Sequence, residues 1–209
     1  MEKQYVDDFF NTGRIRLSSF ASFSKHKDEQ RFDDEEGTAL CVHRTSENGG
    51  QTLTFRFYFD NGAYVLCGSA MPSNPLMHDF GSDSAIIIRD VGGFVKAVAN
   101  AVSGCSHSVH GPCSYQRTRA IERDLGWLDI AESTTFDPKE MNAAAIENAV
   151  SELVTDDVLF LKPASYSHQV EYRLIWIAEQ PDDHIEVVVP DAIQFCERWE
   201  EHGEWIAVK

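Results

Sequence analysis

The run VEYRLIWIA at 170–178 constrains the fold more than any other stretch of the chain. Val170, Tyr172, Leu174 and Trp176 fall at every second position, the period of a β-strand with one face turned to a core. Glu171, Arg173 and Ile175 share the opposite face, and Gln169 extends that row by one step. A strand whose inner face carries tyrosine, leucine and tryptophan needs a sheet and a covering layer to bury them. Other runs supply sheet partners. RIRL at 14–17 alternates arginine with apolar residues, and 38–44 is apolar or β-branched enough for a strand. LTFRFYFD at 53–60 sets Leu53, Phe55, Phe57 and Phe59 on one face. Asp60-Asn61-Gly62 then predicts a hairpin with AYVLCGSA, which makes the first half an antiparallel meander. AIIIR at 85–89 is continuously apolar, as a central strand is, and VLFLK at 158–162 and IEVVV at 185–189 complete the set.

Helices are fewer. EKQYVDDFFNTG gathers Tyr5, Phe9 and Phe10 on one side and stops at Gly13. Ser18–Phe23 fits one helical turn, and AMPSNPLMHDFGSD a loop or short helix. Residues 92–102 read as a helix ended by Gly104. Asp137 and Pro138 start another as N-cap and first helical residue. The closing AIQFCERWEEHGEW reads as a helix and tail, and 113–120 as a strand by the alternation of Cys113, Tyr115, Arg117 and Arg119. The expected fold is α+β: a mixed, mainly antiparallel sheet with helices packed at its edges. No linker, repeat or low-complexity tract divides the 209 residues, so a single domain over 1–209 is expected.

A formal charge of −16 repels phosphate backbones, which argues against sequence-independent nucleic-acid binding. Arg117, Arg119 and Arg123 are the best candidates for a local basic cleft. An acidic face suited to a protein partner is the functional counterpart of that charge. Five cysteines, with Cys41, Cys67 and Cys196 in apolar surroundings, read as reduced thiols, and no apolar run approaches about 18 residues. The chain is accordingly expected in the cytoplasm, away from membranes.

Chemistry-bearing residues concentrate on the 170–178 strand, where Glu171 stands beside Arg173 with Gln169 on the same side. Two readings follow: a structural, cross-strand ion pair on a solvated face, or a polar site in which Arg173 keeps Glu171 ionised. Cys105, His107, His110 and Cys113 are zinc-type ligands, but so tightly spaced that a polar loop explains them better; no metal is expected. Asp33–Glu36 reads as a solvated acidic loop rather than a magnesium site. No nucleophile elbow, phosphate loop or dinucleotide fingerprint occurs.

Three blocks resemble a widespread family of bacterial and phage domains of unknown function, often found beside phage-defence genes. They are FFNTGRIRLSSFASF followed by DDEEG, YVLCGSAMPSNPLMHDFG, and FLKPASYSHQVEYRLIW. They keep the family's order across 9–176. Two departures stand out: His78 where tryptophan is usual, and Gln169 where the family has an acid. The resemblance implies a mixed sheet with helices at its edges and delivers no activity by itself.

A second resemblance is to ADP-ribosyltransferases of the arginine-serine-glutamate type, whose motifs follow the same order and whose split sheet is then also implied. It implies NAD as substrate, Glu171 as the catalytic carboxylate and Gln169 as the residue orienting the acceptor. Arg14, Arg16, Ser18, Ser69, Tyr166 and Arg173 are then the side chains holding NAD, Arg16 on its phosphates and Ser69 in support of Glu171. A fixed carboxylate stabilises the positive charge that builds on the ribose as nicotinamide leaves. The implied function is an NAD-dependent enzyme, or toxin, of a bacterial or phage conflict system. It requires Arg16, Ser69 and Glu171 to converge on one open cleft. The alternative is a non-catalytic acidic protein that binds and inhibits a partner.

Overall fold

The computed structural model describes residues 1–23, 25, 37–44, 52–58, 62–71, 73–124, 156–178 and 182–200. In chain order these form α1 (Lys3–Thr12), β1 (Arg14–Ser19), α2 (Phe20–Phe23), β2 (Thr38–Arg44), β3 (Thr52–Tyr58) and β4 (Ala63–Ser69). Then come α3 (Asn74–Asp79), β5 (Ser84–Ile88), α4 (Val91–Ala101), β6 (His107–Pro112), β7 (Ser114–Gln116) and β8 (Ala120–Asp124). β9 (Leu161–Pro163), β10 (Glu171–Ile177), β11 (His184–Val188) and β12 (Cys196–Glu200) complete the strands, with short 3-10 helices at Asp156–Phe160, Ala164–Gln169 and Pro190–Phe195. The class is α+β with a mainly antiparallel sheet, as expected. Residue contacts gather into two compact units.

The first unit takes Met1–Glu36, Phe59–Cys113 and Ser165–Lys209. Its main sheet runs β11-β1-β4-β10-β6 with every neighbouring pair antiparallel. β10 is the hub, paired over Glu171–Ile177 with β4 and over Tyr172–Ile177 with β6. One face of the sheet presents Ile15, Leu17, Tyr64, Leu174, Trp176 and Val187 to Phe9 of α1 and to Phe94, Val95 and Val98 of α4. The alternation read from 170–178 is what lets Leu174 and Trp176 meet this layer. The fully buried indole of Trp176 is satisfied by donating from Nε1 to the Val95 carbonyl at 3.0 Å.

The second unit takes Gly37–Tyr58 and Ser114–Ala164. Its described strands form the sheet β3-β2-β8, antiparallel between β2 and β3 and parallel between β2 and β8, beside the parallel pair β7-β9. Parallel ladders make the sheet mixed, as the sequence predicted.

Several expectations need correction. β3 and β4 are not hairpin partners: β3 pairs with β2, and β4 with β1 and β10, so the first half is no meander. Among the described strands β5 is not central but pairs only with β12. β12 itself replaces the expected C-terminal helix, because a non-local ladder outweighs the helical propensity of Glu197-Arg198-Trp199. The α1 face is rotated: Val6 and Phe9 are buried and Tyr5 is 59% exposed. Val158–Phe160 is a 3-10 turn rather than a strand, and β9 starts only at Leu161. Residues 105–113, read as a loop, hold strand β6. The strand expected over 113–120 is broken by a bend at Arg117–Arg119 between β7 and β8. The helix expected from Asp137 and the acidic run Asp33–Glu36 lie outside the described residues. Among the described residues no helix is long and apolar enough to cross a membrane.

Cysteine environments also differ from expectation. Cys67 is exposed, whereas burial at the start of β12 pushes the Cys196 thiol up to about 12 from an ordinary 9.0. The unfolded chain thus gives up this proton near 9.0 while the folded chain keeps it to about 12. Its stabilisation is complete below the lower value and is lost as pH rises through the window. We expect the melting temperature to fall across that alkaline range and the Cys196→Ala variant to fall less steeply. Identical slopes for the two proteins would refute the assignment. At pH 8, iodoacetamide should modify Cys67 well before Cys196.

Candidate functional site

Glu171 opens β10 directly across from Ser69, the last residue of β4. Glu171 and Arg173 sit on the sheet face opposite Trp176, as alternation requires, yet that face is not solvated. Glu171 is 5% exposed and Arg173 only 1%. Two buried charges persist in a protein interior only when they are paired. Arg173 Nε donates to Glu171 Oε1 at 2.7 Å, a pairing along one strand and not across two. The guanidinium carbon of Arg173 lies 5.7 Å from the ring centre of Phe20 in α2, within cation–π range.

Cys113 completes the corner. Its backbone N–H donates to the Glu171 carbonyl at 2.9 Å, and its thiol donates to the same Oε1 at 3.5 Å. The thiol belongs to the set read as zinc-type ligands, but the four residues go separate ways. The Cys105 thiol donates to the His107 carbonyl at 3.4 Å, and burial raises its pKa. His110 Nδ1 meets the Tyr172 hydroxyl at 2.8 Å on the other side of the sheet from Glu171. Among the described residues no three metal-ligating side chains gather.

Gln169 is not in register with Glu171 on a strand. It ends the 3-10 helix Ala164–Gln169, and Val170 follows with φ 42°. A β-branched residue in left-handed backbone is a genuine outlier, of the kind held in place by its surroundings. Here the hold is visible: the Val170 N–H donates to Ser167 O at 3.2 Å, and the Val170 carbonyl accepts from Ala70 N at 2.9 Å. Ser69 secures the residue before it, donating its hydroxyl to the Gln169 carbonyl at 2.9 Å and accepting from Met71 N at 3.2 Å. The one hydroxyl proton of Ser69 therefore goes to the backbone leading into Glu171, not to the carboxylate. Ser69 shapes the corner, and its support of Glu171 is indirect.

The β1 residues stand apart from this corner. β1 pairs with β4 only at Ser18↔Val65 and Ser19↔Tyr64, and among the described strands its remaining residues pair with β11 alone. Arg14 is engaged by Asp8 at 3.3 Å and Glu186 at 3.6 Å. Arg16 is exposed and makes no ion pair with a described residue; Glu186 is its partner in the ladder. Ser18 is half-buried at the join with β4, and Tyr166 is half-buried in the 3-10 helix before Gln169. The structure thus brings Ser69, Gln169, Glu171 and Arg173 together, and leaves Arg14 and Arg16 on a separate stretch of sheet. Of the basic trio, Arg117 is exposed in the bend before β8.

Sequence reasoning missed two members of the corner. Cys113 carried only an indirect signal, as one of the zinc-type ligands and as the start of the strand expected over 113–120. Val170 carried none, because valine is among the residues least suited to positive φ. No family model matches the chain, and neither a curated protein nor a solved structure matches it.

Proposed function

We propose that the Ser69–Gln169–Glu171 corner is the working site and that its chemistry is ADP-ribosyl transfer from NAD, in the cytoplasm of a bacterium and within a phage-conflict system. The observation that carries this reading is the register: Ser69 and Glu171 stand opposite each other where β4 and β10 end, with the strained Val170 between Gln169 and Glu171. Strain of this kind gathers at sites that must hold a side chain in one aim. In the reaction the nicotinamide–ribose bond breaks and nicotinamide leaves with the bonding pair. A nucleophile of the acceptor then bonds to the ribose carbon and releases its proton to solvent. Glu171 stabilises the cationic ribose in between. Arg16, expected on the NAD phosphates, lies on a stretch of β1 that does not pair beside Ser69, so the convergence of Arg16, Ser69 and Glu171 that this chemistry requires is not met in this arrangement. The reading carries a strict condition. As the side chains stand, Glu171 is enclosed and bonded to Arg173, so a ribose reaches it only after Arg173 turns away.

That enclosure favours a second reading directly. A buried, satisfied pair has the geometry of a structural element, and under this second reading the acidic surface of a chain of charge −16 is what meets a protein partner. Nicotinamide release from NAD by the purified chain, read beside a Glu171→Gln variant that keeps its fold by circular dichroism, separates the two. The first reading expects release by the parent chain and a loss of about 100-fold or more in the variant. No release with protein, nucleic acid or water as acceptor, or equal release by both chains, ends it. A stoichiometric complex recovered from the host without turnover then supports the second.

A further inference from the structure

We propose that Val170 is a strained hinge, closed by the Ser69 hydroxyl, which carries Gln169 into and out of the corner that holds Glu171. The proposal goes beyond both readings above and holds under either, because it concerns how the corner opens rather than what it takes. Val170 has φ 42° and is the one non-glycine residue with positive φ among the described residues. Branching at Cβ crowds the backbone there, so valine favours the negative-φ regions strongly. Strain of this kind weights an equilibrium toward the relaxed form by about 5- to 150-fold. The native conformation therefore persists only because other bonds oppose the relaxation.

Relaxation to negative φ is a rotation about the Val170 N–Cα bond, and that axis divides the corner. On the Cα side the Val170 carbonyl keeps the Ala70 N–H at 2.9 Å, and Glu171 keeps its place opposite Ser69. Arg173 and its ion pair with Glu171 stay on that side too. On the nitrogen side lies the 3-10 turn Ala164–Gln169. Two of its bonds travel with it: the Val170 N–H to the Ser167 carbonyl at 3.2 Å, and His168 Nδ1 to the Ser165 carbonyl at 3.2 Å. The Ser69 hydroxyl spans the two sides. β4 holds Ser69 against β10, while its proton goes to the Gln169 carbonyl at 2.9 Å. Rotation about Val170 must break that bond.

Little packing within the turn opposes the swing. Ala164, Ser165, Ser167 and His168 are exposed, Tyr166 is half-buried, and Gln169 is its one buried residue, at 4%. Segments with few buried contacts open at small cost. The swing takes one polar side chain from the interior to water and leaves the ladder between β4 and β10 in place. The corner then has two states, one with Gln169 packed inside and one with Gln169 outside. Ser69 is the positioning residue that sets their ratio.

The test reads exposure at position 169 in the full chain. Gln169→Cys places a thiol where the side chain is enclosed, and its labelling by iodoacetamide, located by peptide mass, counts the open state. Labelling is expected without urea, at a rate that Val170→Asn lowers at least about fivefold, because asparagine tolerates left-handed backbone. Ser69→Ala should raise the rate about 2- to 10-fold, and Ser69→Thr, which keeps the hydroxyl, should restore the slower one. In the chain without the introduced thiol, microsecond-to-millisecond exchange at the amides of Ser165–Val170, read by relaxation dispersion, should be quenched by Val170→Asn in the same way. Simple fraying of the turn would be indifferent to the residue at 170. Labelling that ignores Val170→Asn, equal labelling of the Ser69→Ala and Ser69→Thr variants, or flat dispersion at Ser165–Val170 would each overturn the hinge.

Discussion

Arg173→Ala is expected to cost the fold about 3–5 kcal/mol, because it strips the guanidinium from a carboxylate that remains buried. The loss has a direction that the reverse change does not share. Removing Arg173 leaves the Glu171 charge in an interior where water does not replace the 2.7 Å bond. Replacing both residues at once, as Glu171→Met with Arg173→Met, removes the charge along with its partner and should recover most of the loss. The double-mutant cycle, read as the shift in urea midpoint at unchanged slope, gives the coupling directly. A single variant within about 1 kcal/mol of the parent would show that the pair is open to water and restore the case for a solvated site. The result also bears on function. A large coupling means that Arg173 does not turn away cheaply, which weighs against NAD chemistry at Glu171 and toward the binding reading.

The inward and outward faces of β1 and β10 were legible because both strands obey period two, while β6 and the partners of β4 were not. Ile15 and Leu17 point inward and Arg14 and Arg16 outward, as RIRL demands, and Leu174 and Trp176 follow the same rule. Pattern fails where the partner of a strand is remote. Nothing local to AIIIR distinguishes a central strand from β5, whose sole neighbour among the described strands is β12, more than a hundred positions away. Nothing local to Phe195–Glu200 reveals that strand either. The ion pair of Arg89 with Glu197 and that of Arg198 with Asp7 tie β12 to the middle and to the far end of the chain. At the candidate site, alternation correctly put Glu171 and Arg173 on one face but overran by one step at Gln169. Periodicity assumes unbroken extended backbone, and the left-handed Val170 breaks it against the preference of its own side chain. Burial of the pair was not legible at all, since a Glu-x-Arg alternation is the same string whether its face is wet or covered.

Gly13→Ala should cost a comparable amount, about 2–5 kcal/mol, and its origin is separable into two parts. Gly13 ends α1 in left-handed backbone, φ 76°, with its N–H on the Phe9 carbonyl at 2.7 Å. Its carbonyl accepts from Val189 N at 2.8 Å, which draws the chain after β11 against it. A Cβ here would sit 2.4 Å from both Val189 C and Pro190 N, backbone atoms that have no rotamer to yield with. The dihedral part is about 1–2 kcal/mol and the overpacking part about 1–3 kcal/mol. Gly104 is the internal control: φ 70°, but open space where its Cβ would go. Gly104→Ala should therefore cost only about 1–2 kcal/mol, the dihedral part alone. Asparagine tolerates left-handed backbone, so Gly104→Asn should be close to neutral while Gly13→Asn stays severe. If thermal melts place Gly13→Asn near the parent, the close approach of the Val189–Pro190 backbone is not what demands glycine. Because this contact ties the end of α1 to the segment following β11, its loss should loosen that segment first. Amide exchange at Val189 should then rise ahead of exchange at Trp176 in the same variant.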